Sequence, residues 1–405
     1  MLRDAALRAL LIAAAIVAAC YSVLLARAAY LFDQNTAASV QQAAELVPYN
    51  ARYLAHEAAW NPDRQASLLE RTTALNPFDS ESWIQLGLLA EFDRNDPQTA
   101  ERLYLKAADV NHMFLPKWTL TNFYFRRRND SRFFQWARDT LTITPYSPDP
   151  VFTQMWSLAP DAAKIEAAIP ERPRILLQYA VFLSSTNRFR AIPAAVQRLV
   201  RAVGASDPHA WGRDDLLPGI EDRMLAAGDL DSASGVWAAM THAGWIHASV
   251  PTPAHPLTNG DFNRRSYGHG FDWAAALSVP GINIDPYPDL QEMRITFSGQ
   301  QPENCELLRQ YAPVEPGAEY QLQWKATAGG LSTPSGLVWR LRGVREDAAG
   351  YVSPDLLDAN AEWRFRAPGA NLCLLTLEYA RPAGMTIASG TVTLHSVSMI
   401  RTNAP

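Results

Sequence analysis

From residue 36 to residue 245, apolar side chains recur every third or fourth position, broken by short polar turns. Beyond residue 258 they recur every second position. The first rhythm builds the apolar face of a helix, the second that of a half-buried strand. In "PFDSESWIQLGLLAEFDRNDPQTAERLYLKAADVN", Trp83, Leu86, Gly87 and Ala90 fall at i, i+3, i+4 and i+7. Asp79 or Ser80 stands where such a helix is capped. "DRNDP" ends it, and Asp96-Pro97 opens a second helix whose Ala100, Tyr104 and Ala107 share a face. The same alternation of helix and break predicts further pairs over 171–203 and 214–244, about five to six pairs in all.

The strand rhythm is clearest in "AEYQLQWKATA", where Tyr320, Leu322, Trp324 and Ala326 oppose Gln321, Gln323 and Lys325. In "GLVWRLRGV", Leu337, Trp339 and Leu341 oppose Val338, Arg340 and Arg342. In "EWRFRAP", Trp363 and Phe365 oppose Glu362, Arg364 and Arg366. With four similar segments, this predicts about eight strands and an antiparallel sandwich or barrel. Pro251, Pro253 and Pro256 separate the two regions, and proline stops helices and favours extended backbone. Residues 246–257 therefore read as a short stiff linker.

The chain opens differently. "ALLIAAAIVAACYSVLLA", residues 9–26, carries no charge, and Arg3, Arg8 and Arg27 flank it. A membrane-spanning helix needs roughly 17–25 such residues. The flanking arginines favour a cytoplasmic N-terminus, with the rest of the chain outside the cytoplasm. Three other readings stay open: a cleaved signal peptide, a buried helix, and a lipoprotein. "VAAC" resembles a bacterial lipobox, which would make Cys20 a lipidation site, but "YSVLLARAAYLF" continues apolar where a processed segment turns polar.

The unit around Trp83 resembles a tetratricopeptide repeat. Trp83, Leu86 and Gly87 match the family's first-helix signature, with Ala90 in place of its Tyr. Ala100 and Tyr104 match the second helix, one residue late, and His112 stands where Pro is usual. Trp118 follows Trp83 by 35 residues, in a degenerate copy with Asn122 in the glycine slot. The resemblance implies an α-solenoid whose stacked hairpins present a surface to protein partners.

"LTNGDF", followed by Phe271-Asp272-Trp273, and "VEPGAEYQLQWKATA" resemble the opening and central motifs of bacterial carbohydrate-binding modules of the jelly-roll, galactose-binding-like type. That resemblance implies a jelly-roll sandwich with Phe262 beginning its first core strand. It also implies a glycan ligand and, in many members, a structural calcium. Here Asn263, His395 and Ser396 stand where carboxylates are usual and are poor ligands for a hard cation, so no metal is expected. Sugar sites use exposed aromatic faces. Trp273, Tyr287, Tyr351 and Tyr267 are the candidates, whereas Trp324, Trp339 and Trp363 alternate with polar neighbours as core residues do.

Composition narrows the function. With 48% hydrophobic and 19% charged residues the chain is expected to fold, and at a net charge of −5 it shows no basic stripe for nucleic acid. Arg126, Arg127 and Arg128 read either as an anion grip or as a solvated helix C-terminus. Asp214, Asp215, Glu221 and Asp222 lack a neighbouring nucleophile or base pattern, so no catalytic residue and no cofactor are nominated. Cys305 and Cys373 are either a disulfide or two free thiols, since spacing does not decide.

The expected organisation is an anchor over 1–29, a tetratricopeptide-like helical domain over 30–245, the linker 246–257, and a jelly roll over 258–405. The expected role is a non-catalytic scaffold in the bacterial inner membrane, its bulk periplasmic, binding proteins and a glycan or exopolysaccharide. The alternatives are a sandwich that is only a structural or protein-binding cap, and an envelope glycosidase.

Overall fold

The computed structural model describes residues 2–204, 216–276, 278–331, 333–346 and 350–402, with side chains from residue 5 onward. By contact density the chain divides into two units, Met1–Pro170 and Glu171–Pro405. The division falls inside the helical region, not at the proline-rich stretch.

The first unit begins with α1 (Leu2–Asp33), unbroken and apolar enough over Ala5–Asp33 to cross a membrane. A signal segment would share that length and composition. Its uncharged stretch spans about 27 Å at 1.5 Å per residue. The side chains of that stretch are almost all exposed, but Ala28 and Phe32 near the helix end are buried. Phe32 packs on Val40 and Ala43 of α2 (Ala37–Leu46) and stacks 4.7 Å from the Tyr53 ring. The Tyr21 and Tyr49 hydroxyls are also hydrogen-bonded.

Helix pairs follow: α3 (Ala51–Trp60) with α4 (Gln65–Leu75), and α5 (Ser80–Leu88) with α6 (Pro97–Val110). Next come α7 (Phe114–Arg126) with α8 (Asp130–Ile143), then α9 (Asp149–Leu158) and α10 (Ala162–Ala168). Side chains of Asn50, Asp96, Asn129 and Asp161 accept backbone N–H groups and cap their helices. Asp79 occupies the cap position of α5, but its carboxylate takes the Ser82 hydroxyl at 2.7 Å instead of a backbone donor. Gly87 faces Tyr104 across the α5–α6 pair with no room for a β-carbon, which is the packing the repeat signature implies. α5 runs on into a π-helical turn, Leu89–Asp93, which holds the buried Glu91.

The second unit starts with α11 (Pro173–Ser185), α12 (Ile192–Val203), α13 (Leu216–Ala226) and α14 (Leu230–His242). The proline-rich stretch lies along this unit. Ser249 O accepts from the Trp237 indole, and Pro253 O accepts from the Tyr320 hydroxyl, both at 2.9 Å.

The sheet region has ten strands among the described residues. They are β1 (Ala274–Ala275), β2 (Ile282–Tyr287), β3 (Glu292–Ser298), β4 (Asn304–Pro313), β5 (Glu319–Gly329), β6 (Leu337–Gly343), β7 (Tyr351–Asp355), β8 (Glu362–Arg366), β9 (Leu372–Ala380) and β10 (Ser389–Arg401). They form two antiparallel five-stranded sheets, ordered β1-β4-β9-β6-β7 and β2-β3-β10-β5-β8. From β3 onward, successive strands form the jelly-roll order, with β1 and β2 added at the edges. Leu337, Trp339 and Leu341, and likewise Tyr320, Leu322 and Trp324, fill the core between the sheets as their alternation predicts.

Two expectations need correction here. Phe262 is buried but lies in a turn with φ of 52°, not in a strand. Its ring reaches the core because the turn docks on β10. Gly260 O accepts from Val397 N at 2.7 Å, and a β-carbon on Gly260 would collide with the Val397 carbonyl. The disulfide reading also fails. Cys305 lies opposite Tyr379 and Cys373 opposite Ala312, seven positions along β4. At about 3.4 Å per residue that is more than 20 Å, far beyond a disulfide's reach. Both thiols are free.

Candidate functional site

A concavity of the first unit runs across α3, α5 and α7. One lobe, about 490 Å³, is lined by Arg52, His56, Asn76, Asp79 and Gln85 among others. The next lobe, about 470 Å³, is lined by Ile84, Leu88, Leu115, Trp118, Asn122 and Arg126 among others. Glu81 and Gln85 line both, so the lobes adjoin. The groove mixes carboxamides, a partly exposed indole and aliphatic side chains, with charges of both signs. Carboxamides both donate and accept, which suits the main chain of an extended polypeptide.

Its walls are fixed by hydrogen bonds that the sequence does not advertise. Arg126 reaches back 35 residues to Glu91, donating from Nε to Oε1 at 3.0 Å and from Nη2 to Oε2 at 2.7 Å. Glu91 also accepts the Tyr104 hydroxyl at 2.9 Å. Burial, then the hydrogen bond to Glu91, pushes the Tyr104 phenol far above its ordinary range. Arg126 also lies 5.2 Å from the Phe92 ring centroid, and Arg127 5.7 Å from that of Phe123. Arg126, exposed at the C-terminal end of α7, is not a free anion grip: it neutralises a buried carboxylate beside the groove. Asn122, in the glycine slot of the second copy, donates to Trp118 O and accepts from Gln154 Nε2 at 2.8 Å. Gln85, Asn76 and Asn122 are the lining residues that sequence reasoning missed. Their only signal was position on the first helix of each pair or in the turn before it.

The aromatic candidates of the sandwich part company. Trp273 is fully buried: its ring lies 5.8 Å from that of Trp339, and its indole donates to Asn259 O at 3.1 Å. It offers no face to a sugar, so the stacking role assigned to it is corrected to a core role. Tyr267 is half-buried, its ring edge-on to Trp237 at 5.9 Å. Tyr287 keeps 37% exposure with the Arg294 guanidinium 4.6 Å from its ring centre, and Tyr351 keeps 46% on edge strand β7. Tyr287 and Tyr351 lie on different sheets, so they do not make one platform. His395 meets Thr327 at 3.0 Å, and no cluster of three metal-ligating side chains occurs among the described residues. Glu221 is wholly buried, and Asp214 and Asp215 lie outside the described residues. Cys20 is exposed on α1.

No family model matches the chain, and no curated protein matches it. Among solved structures, a chain of Naa15/Naa10 bound to HypK-THB is similar at 12% identity and a TM-score of 0.28, over 54% of this chain and 39% of that one. The C-terminal part of a TPR repeat-containing protein from Cytophaga hutchinsonii is similar at 15% identity and 0.28, over 54% of this chain and 95% of that one. A family GH115 4-O-methyl-alpha-glucuronidase with specificity for decorated arabinogalactans is similar at 11% identity and 0.19, over 76% of this chain and 44% of that one.

Proposed function

We propose that the chain is a non-catalytic, membrane-tethered scaffold of the bacterial envelope that holds an extended segment of a partner protein in the groove of α3, α5 and α7. The observation that carries this reading is the continuity of the two lobes through Glu81 and Gln85, with carboxamides along the path. The tether is α1, whose apolar stretch is exposed while its end is built into the first helices. The bulk of the chain would lie in the periplasm.

The test is a photo-crosslinking residue placed in the full chain in cells, at Gln85 in the groove or at Lys106 outside it. A discrete protein adduct from position 85 and none from position 106 is the expected result. Equal adducts from both positions, or none from 85, would defeat the groove reading. Alkaline extraction of Cys20→Ala separates the anchors: retention in the membrane fits a span, release fits a lipoprotein.

A second reading concerns the jelly roll, which would bind a glycan or exopolysaccharide. The exposed rings of Tyr287 and Tyr351 favour it. Retention of the full chain on polysaccharide gels tests it; the alternative, a purely structural or protein-binding cap, predicts no retention.

A further inference from the structure

Helix α1 and the turn that joins α2 to α3 meet at one level. Phe32, near the end of α1, packs on Val40 and Ala43, and the Tyr21 hydroxyl, eleven residues earlier, is hydrogen-bonded to that of Tyr49. α2 therefore runs back along α1, and the turn after it, residues 47–50, comes to rest beside Tyr21.

That level lies inside the apolar stretch. Tyr21 stands five residues before Ala26, the last of the uncharged run, about 7.5 Å along the helix. The run is about 27 Å long and a hydrocarbon core is about 30 Å thick, so a span has no residue to spare at this end. With α1 across a bilayer, Tyr21 stands at the headgroup boundary or deeper, and Tyr49 stands there with it. A lipid on Cys20 leads to the same place, because its acyl chains would hold the adjacent Tyr21 at the surface.

The turn has the chemistry of such a place. Residues 46–51 carry no charge. Pro48 is exposed, Tyr49 is 51% exposed and Tyr21 48%. Rings with an apolar body and a polar tip gather at membrane interfaces. The two hydroxyls answer each other where water is scarce. Val47 N donates to Ala43 O, Asn50 N to Val47 O, and Arg71 Nη2 to Pro48 O at 3.2 Å, so these groups need no water either. Charge plays little part, since exposed Arg27 and Arg71 are offset by exposed Glu45 and Glu70.

We propose that the α2–α3 turn is a second membrane contact, in which residues 46–49 dip into the leaflet beside α1 with Tyr21 and Tyr49 as the interfacial pair. This rests on the tether reading of α1 and places the first helices against the lipid. The bilayer is the occupant, not a second copy of the chain, because the anchoring helix itself sets the depth of the turn. α3 then leads away from the surface, and the Pro62–Arg64 turn beyond its far end stands in water, about 15 Å further out.

The test uses the full chain with its native cysteines, in vesicles of phosphatidylethanolamine and phosphatidylglycerol. p-Acetylphenylalanine placed at position 48, or at position 63, carries a nitroxide. Its collisions with oxygen and with a water-soluble nickel chelate are read by power saturation. Oxygen collisions in excess at 48 and chelate collisions in excess at 63 are the expected result. Chelate in excess at both positions overturns the proposal, as does a label at 48 shielded from both relaxants, which a protein contact would produce. In the unmodified chain, a lipid with a diazirine in its acyl tail should label Tyr49 and spare Trp60, which is exposed at the other end of α3. No label on Tyr49 also overturns the proposal. Flotation with the vesicles reports the tether separately. A chain that floats with position 48 in water loses the turn contact and keeps the tether, and a chain that does not float loses both.

Discussion

Gly87 packs against the Tyr104 ring so closely that a β-carbon at position 87 would stand 2.6 Å from Tyr104 Cδ1. No side chain fits unless the helices part. Gly87→Ala is expected to destabilise the first unit by about 1–3 kcal/mol, as overpacking does. Gly219→Ala, on α13 with nothing within 4 Å, is expected to be neutral or mildly stabilising. Thermal melts of the two variants, compared with the parent, check this pair.

Arg126→Ala leaves the Glu91 carboxylate, whose side chain is 3% exposed, with only the Tyr104 hydroxyl and Arg127, 4.0 Å away, to answer it. Because Arg126 itself is partly solvated, a loss of about 1–3 kcal/mol is expected, and Glu91→Gln on that background should recover much of it. Urea denaturation of the single and double variants measures both.

Glu221 is wholly buried without a hydrogen bond, and that burial, then the neighbouring Asp222 charge, holds its carboxyl protonated well above the ordinary range. The folded protein keeps a proton there that the unfolded chain releases. Stability of the second unit should therefore fall as pH rises from about 4.5 toward the raised value, and level off beyond it. Glu221→Gln is expected to flatten that slope. Denaturation midpoints across the pH range read the difference.

Trp273→Ala is expected to cost about 3–5 kcal/mol, because the ring fills the sandwich core. Tyr287→Ala, half-exposed on edge strand β2, should change stability little. Equal stability of the two variants would contradict the placement of Trp273.

Burial raises the Cys373 thiol to about 12 and also raises Cys305. Neither should react readily with an alkylating agent at neutral pH, and reductant should leave the melting temperature unchanged. Mass spectrometry of alkylated native protein checks both points.

The rhythm of apolar positions made the two halves legible, because Trp83 to Ala90 and Tyr320 to Ala326 each bury one face of a regular element. Glycine 87 was legible for the same reason. Strands β2 and β7 were not: "INIDPY" and "YVSPD" lie at sheet edges, carry proline, and bury too little to show alternation. The Arg126–Glu91 pair was invisible because its partners come from successive repeats, and sequence distance hides which arginine answers a buried carboxylate. The division of the chain after Pro170 had no signal either. It follows from contacts such as Trp237 with Phe271, at 5.7 Å, which tie the last helices to the sheets. In the candidate groove, individual carboxamides carry no periodic mark, and only the fold gathers Asn76, Gln85 and Asn122.

Helix α1 enters the first helical bundle without a break, its Phe32 wedged beside Tyr53 and its Tyr21 joined to Tyr49. A mast stepped into the keel in this way has no swivel. If its upper part stands in a bilayer, the helices it enters inherit a set tilt and height, and any traction on the embedded end is felt directly by their packing.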